Sequence, residues 1–212
     1  MNHGFFIVLE GPEGSGKSSL WPALGEKLRG AGHAPVMVRD PGGTPAADAL
    51  RHELLHADRP WTPEQELLYY VTARADLVGQ IIRPALLAGK IVLSDRYDLS
   101  TMAYQASGRG LPLPMVSWVN SAATGGLAPD LTLILDLPTE VGLARQLAAG
   151  KVRDRLDRES TEFHRRAAAR YREERGPGVV HLDATLPPDA LAEAAWAAIL
   201  AARPALAPAG VR

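Results

Sequence analysis

The residues with the plainest chemistry stand near the start of the chain. Gly11-Pro12-Glu13-Gly14-Ser15-Gly16-Lys17-Ser18 has the spacing G-x-x-x-x-G-K-[ST], and Ser19 follows it. Glycines at those positions let successive backbone N–H groups converge on phosphate oxygens. The helix N-terminus adds partial positive charge, and Lys17 reaches the β- and γ-phosphates. Ser18 would hold Mg²⁺ through its hydroxyl. Gly11 through Ser19 are therefore the candidate ATP contacts. The loop alone says nucleoside triphosphate binder; switch proteins, motors and small-molecule kinases all use it.

Three further clusters narrow the choice. Asp95-Arg96-Tyr97 follows the apolar run Ile91–Leu93. A carboxylate at that strand's carboxyl end is placed to order Mg²⁺, and Arg96 beside it can grip a second phosphate. Arg39-Asp40-Pro41-Gly42-Gly43-Thr44 lies at the carboxyl end of another strand, where open α/β sheets place ligands. Arg153-Asp154-Arg155-Leu156-Asp157-Arg158 lies between two helical patterns. It reads either as a solvated charge run or as a lid that brings arginine to a transferring phosphoryl group.

These clusters need a frame. Apolar runs at Phe5–Leu9, Pro35–Arg39, Ile91–Leu93, Leu131–Leu135 and Val179–Leu182 read as strands covered on both faces. Helical patterns fill Ser18–Arg29, Ala46–His56, Thr62 to about Gly79 with an extension to Ala88, Leu99–Ala106, Pro114–Thr124, Thr139–Ala149, Thr161–Arg175 and Ala190–Ala201. Thr62-Pro63-Glu64 has the order of an N-cap, an N1 proline and an acidic first turn. The alternation predicts a three-layer α/β/α fold around a five-stranded parallel sheet. One domain is expected over 1–212, with a lid near 150–160 and a frayed tail over 203–212.

Composition removes other classes. Of 212 residues 46% are hydrophobic and 22% charged, and there is no cysteine. Disulfide scaffolds, Cys zinc sites, Fe–S clusters and thiol nucleophiles are excluded. A net charge of −1 offers no global field toward nucleic acid or membrane. Met1–Glu10 has no basic residue before its apolar run and no small-residue cleavage site after it, so a cytoplasmic protein is expected.

Together the motifs resemble thymidylate kinase, in the bacterial form whose catalytic arginine is on the lid. The resemblance rests on the P-loop G-x-E-x-x-G-K-S, RDPGGT at 39–44, Leu67-Leu68-Tyr69-Tyr70-Val71-Thr72-Ala73-Arg74, DRYDLSTMAYQ at 95–105, and Asp154-Arg155-Leu156-Asp157. It implies a P-loop NTPase fold, ATP as phosphoryl donor with Mg²⁺, dTMP as acceptor in dTTP synthesis, and a homodimer. It implies also that Glu13 meets the deoxyribose 3′-hydroxyl and that Arg51 and Arg96 hold the monophosphate. Tyr70, where Phe is usual, would stack on thymine. Arg74 would hydrogen-bond the base, with Thr101 and Gln105 as further polar contacts, and Tyr104 would leave no room for a 2′-hydroxyl. Asp40 stands in the acceptor site where many members have Glu, and Asp157 likewise. Lys17, Arg96, Arg155 and, second to Arg155, Arg153 would serve catalysis; Ser18 and Asp95 would serve the metal. Ala184-Thr185-Leu186 falls at the family's adenine-side loop. Gly14 stands where the other type of the family carries a P-loop arginine.

Two rival readings have distinct signatures. Another deoxynucleotide or deoxynucleoside kinase would share the P-loop and the Asp-Arg pair, but Arg51 and Arg96 suit an acceptor that already bears phosphate. A nucleotide-gated binding module would show slow ATPase activity indifferent to dTMP.

Overall fold

The structure, a computed structural model, describes residues 4–56, 59–150 and 154–208. Arg153, the second lid candidate, lies outside them. Five strands, β1 (Phe5–Glu10), β2 (Val36–Arg39), β3 (Ile91–Asp95), β4 (Leu131–Asp136) and β5 (Val179–Asp183), form one parallel sheet in the order β2-β3-β1-β4-β5. The apolar runs are continuous because both faces are covered. Phe5, Ile7 and Leu9 pack with α1 (Lys17–Gly30) and α9 (Pro188–Ala202). Phe6 and Val8 face the opposite layer with Leu77 and Ile82. This is the expected three-layer α/β/α arrangement, and it puts the carboxyl ends of β1, β2 and β3 side by side.

The second layer is built from α2 (Pro45–His56), α3 (Pro63–Leu77), α4 (Arg83–Leu87), α5 (Asp98–Thr101) and α6 (Leu113–Thr124). The Thr62 hydroxyl accepts from the Gln65 amide while Gln65 Oε1 accepts from the Thr62 amide, a reciprocal cap that fixes where α3 starts. α3 does not run straight into α4. Val78–Ile82 forms a wide turn in which the Arg83 amide reaches the Val78 carbonyl five residues back. Pro84, having no N–H, cannot continue the ordinary ladder, and the shifted register absorbs that. A second wide turn, Met102–Gly108, follows α5 and carries Tyr104 and Gln105. After β4 come α7 (Thr139–Ala148) and α8 (Thr161–Glu173), with the described lid residues between them.

Most boundaries shift by a residue or two from the sequence reading, and two differences matter to the site and the core. β3 extends through Ser94 and Asp95, because Asp95 pairs with Leu9 and its carbonyl accepts from the Asp40 amide. The tail is not frayed over its first part. Pro204–Leu206 makes a 3₁₀ turn and Leu206 is buried in the α1–α9 core, apolar area that packing removes from water.

Candidate active site

The loop after β1 wraps its own lysine. Gly16 adopts a left-handed conformation as the N-cap of α1, and Lys17 Nζ donates to the Gly11 carbonyl at 2.7 Å, the Pro12 carbonyl at 2.9 Å and Ser15 Oγ at 3.1 Å. Burial, aided by the cation of Arg96, pushes the Lys17 ammonium down to about 8. The loop tip lies against α7. A Cβ on Gly14 would stand 2.3 Å from the Gly142 carbonyl oxygen, and one on Gly142 would stand 2.3 Å from the Glu13 carbonyl oxygen. Both positions require glycine, since backbone meets backbone there.

The strand ends on the other side carry the charges. Asp95 Oδ2 accepts from Arg39 Nε at 3.2 Å, whereas Asp95 Oδ1 is buried with no hydrogen-bond partner among the described residues. Arg96 has a left-handed backbone, φ +74°, a strained conformation for a non-glycine residue. Its Nη1 donates to Ser100 Oγ and Tyr171 Oη, each at 3.1 Å, and to the Gly11 carbonyl at 3.3 Å. Its Nη2 is ion-paired with Glu13 and donates to Tyr104 Oη at 3.3 Å. Beneath this guanidinium lies Glu10, fully buried at the end of β1. Its Oε1 accepts from the Tyr97 and Ser100 amides and its Oε2 from Ser100 Oγ and Tyr171 Oη. Burial raises the Glu10 carboxyl, and Arg96 pulls it back down.

Arg74, projecting from α3, is only 1% exposed. Nε is ion-paired with Asp40, Nη1 donates to Thr101 Oγ1 at 2.8 Å and to Asn120 Oδ1, and Nη2 donates to the Tyr97 carbonyl at 3.0 Å. A guanidinium has five N–H groups. One N–H of Nη2 therefore remains for a ligand among the described residues. Asp40 Oδ1 is buried without a partner there, and burial raises the Asp40 carboxyl against the opposing pull of Arg74. Tyr70, one turn before Arg74, is buried, and burial raises its hydroxyl. Arg51 Nη1 donates to the Pro41 carbonyl at 2.8 Å.

One cavity of about 450 Å³ joins these groups. Every residue the sequence assigned to the acceptor lines it: Glu13, Asp40, Arg51, Tyr70, Arg74, Arg96, Thr101, Tyr104 and Gln105. From the P-loop, Gly14, Ser15, Gly16, Lys17 and Ser18 line it as well, and so does Asp95. Gly11, Pro12 and Ser19 do not, although Gly11 and Pro12 present carbonyls to Lys17.

Arg155 is not at the cavity. Its Nη1 pairs with Glu66 Oε2 at 2.6 Å and its Nε donates to the Leu54 carbonyl at 3.0 Å. Glu66 is 1% exposed and also accepts from Gln105 Nε2 at 2.7 Å and from Arg109, which in turn pairs with Glu159 at 2.6 Å. The segment, whose run of charges reads as solvated, is thus packed down in its described part. Asp154 and Asp157 each accept from the other's amide, and Asp157 is 2% exposed, so these carboxylates lock a turn.

Two site features, Arg145 and Glu10, were not flagged by sequence, and a third, Arg39, was named only within the 39–44 cluster with no role of its own. Arg39 and Arg145 line the cavity, and Arg145 Nη1 bridges α7 to the Ala184 carbonyl at 2.8 Å. Glu10 does carry a signal: an acid closing an otherwise apolar strand covered on both faces must find donors.

A family model described as Thymidylate kinase matches residues 9–195. A protein of Thermomicrobium roseum named "Thymidylate kinase" is 48% identical over 198 residues, covering 92% of this chain and 94% of its own length. One of the same name from Deinococcus radiodurans is 43% identical over 202 residues, 94% of this chain and 98% of that protein. A third, from Synechococcus sp. (strain JA-2-3B'a(2-13)), is 53% identical over 161 residues, 76% of each chain.

Proposed function

The chain belongs to the thymidylate kinase family, and on that premise we propose how its residues divide the transfer of a phosphoryl group from ATP to dTMP. The enzyme is a dTMP kinase that yields dTDP and ADP. One observation carries the assignment of residues. The P-loop and the acceptor residues line a single cavity, so two nucleotides meet with their phosphates between Lys17 and Arg96.

The loop amides and Lys17 hold the donor's β- and γ-phosphates. Arg96 and Arg51 hold the acceptor phosphate, whose attacking oxygen is already anionic near neutral pH and needs no general base. Glu13, fixed by Arg96, receives the 3′-hydroxyl, and Tyr104 closes the 2′ side. Tyr70 offers its ring to the base, and the free N–H of Arg74 fixes the base in plane. Arg145, beside Ala184, lies on the donor-base side. The donor set suits Mg²⁺: Asp95 Oδ1 is an unpartnered carboxylate oxygen, the Ser18 hydroxyl is exposed, and neither nitrogen nor sulfur is involved. When bound, the ion would neutralise charge on the β/γ-oxygens.

The remaining positive charge comes from the lid. The contact of Gly14 with Gly142 leaves no space for a side chain at that P-loop position, so the arginine opposite the transferring group must arrive from elsewhere. Arg155 is the first candidate and Arg153 the second, and Arg155 must be delivered by movement of the lid. The whole chain acts as one kinase domain in the cytoplasm, and among the described residues no helix is long and apolar enough to cross a membrane. Trp118, Leu68 and Met115, exposed on α6 and α3, are the apolar side chains that a homodimer would cover.

A coupled assay of ADP release tests the assignment. Release should require dTMP, fall for dUMP and dCMP, and vanish for thymidine. Slow ATP hydrolysis indifferent to dTMP would overturn it.

A further inference from the structure

The guanidinium of Arg96 does not choose its own direction. Both hydroxyls that receive its Nη1, on Ser100 and on Tyr171, also contact Glu10 Oε2, at 2.7 Å and 3.1 Å. The two hydroxyl oxygens are 2.9 Å apart. A hydroxyl has one proton and two lone pairs. With a carboxylate beneath them, both hydroxyls can point their protons down and their lone pairs up, toward Arg96. The other oxygen of Glu10 is fixed by two backbone amides, so the carboxylate cannot turn. Tyr171 belongs to α8, the helix that follows the lid.

We propose that Glu10 and Tyr171 are positioning residues for dTMP: acting through Arg96, they aim its guanidinium at the acceptor phosphate and tie that aim to the helix carrying the lid. The proposal rests on the reading of Arg96 as an acceptor-phosphate ligand. Two features of the site make the arrangement consequential. Arg96 sits on a strained left-handed backbone, so its placement depends on side-chain contacts. Its other nitrogen holds Glu13, so a swing of the guanidinium would misplace the acid that receives the sugar. Glu10→Gln, with its carbonyl toward the amides, would present an NH₂ to two hydroxyls that already accept from Arg96. Three donors would then crowd the pair, and one hydroxyl proton would be left without an acceptor.

The test is a mutant cycle read on both substrates. Tyr171→Phe, Glu10→Gln, Arg96→Lys and Tyr171→Phe combined with Arg96→Lys are assayed for KM and kcat, with direct titration of dTMP and, separately, of ATP. Tyr171→Phe and Glu10→Gln should each raise the dTMP KM about tenfold, the weight of one buried hydrogen bond. ATP affinity measured without dTMP should stay within about twofold. In the Arg96→Lys background, Tyr171→Phe should cost nothing more. Equal losses for both nucleotides, or a full additional loss in that background, would reduce Glu10 and Tyr171 to scaffold and overturn the proposal. If Glu10→Gln fails to fold, the Tyr171→Phe cycle decides alone. If Arg96→Lys itself leaves dTMP binding untouched, the acceptor reading of Arg96 falls, and this inference with it.

Discussion

Lys17 spends all three of its N–H bonds on its own loop, and burial there makes its charge conditional on pH. Lys17→Ala removes a point charge from oxygens that become more negative in the transition state, so turnover should fall at least about a hundredfold at saturating ATP. Retention of half the rate would refute the role. The charge has a pH signature as well. Burial pushes the Lys17 ammonium down to about 8, and a triphosphate binds its protonated form. As pH rises through that value, binding must take up a proton, and affinity should weaken by up to about tenfold per pH unit. Calorimetric titration with a non-hydrolysable ATP analogue near pH 7 and pH 9, in buffers of different ionisation heat, reads both effects; a constant dissociation constant would contradict them. At this scale the motif residues foreseen for the acceptor all line the one cavity, whereas Gly11, Pro12, Ser19 and Arg155 do not. Arg145 escaped because a single arginine on a helix has no spacing to betray it, and Arg39, though inside the 39–44 cluster, was given no role of its own. The four hydrogen bonds that bury Arg74 could not be foreseen either, since Asp40, Tyr97, Thr101 and Asn120 converge only in three dimensions.

Between elements, the contact of the P-loop with α7 excludes a side chain at position 14, and on the proposed reading the catalytic charge then comes from the lid. Gly14 and Gly142 touch through their backbones, and the transition state still needs a cation worth about 10³–10⁵ in rate. Arg155→Ala should therefore lower kcat by at least about a hundredfold while leaving dTMP binding within a few fold, the mark of a contact made mainly in the transition state. Single-turnover rates with a dTMP titration measure this. A normal chemical step would pass the role to Arg153 or remove it from the lid. The strands, the loop and the capped start of α3 were readable from period and punctuation. The wide turns at 78–82 and 102–108 were not, because a helical pattern does not announce a bond to the fifth residue back. That second turn holds Tyr104 and Gln105, both of which line the cavity. The packed state of the lid was misread for a related reason: a run of charges looks solvated until its partners, here Glu66 and Leu54, are brought to it from far upstream.

For the molecule as a whole, α3 and α6 connect the site to the outer surface. Trp118 is 72% exposed and Leu68 56%, on helices that pack against each other and whose inner faces carry Arg74 and Asn120. Trp118→Arg should convert a dimer into monomer in sedimentation velocity, with melting temperature little changed; a wild-type monomer at micromolar concentration would end the dimer reading. Nothing in composition located this face, because apolar residues on α6 look alike until their exposure is known. The lid's resting contact has a further consequence of its own. Across it the lid contributes Arg155 and Glu159, and the body contributes Glu66 and Arg109. On the proposed reading, lifting Arg155 and Glu159 breaks two ion pairs while Glu66 and Arg109 remain paired with each other. The body is therefore left without a bare charge on that surface, and the cost of opening lies in the two broken pairs, which added salt lowers.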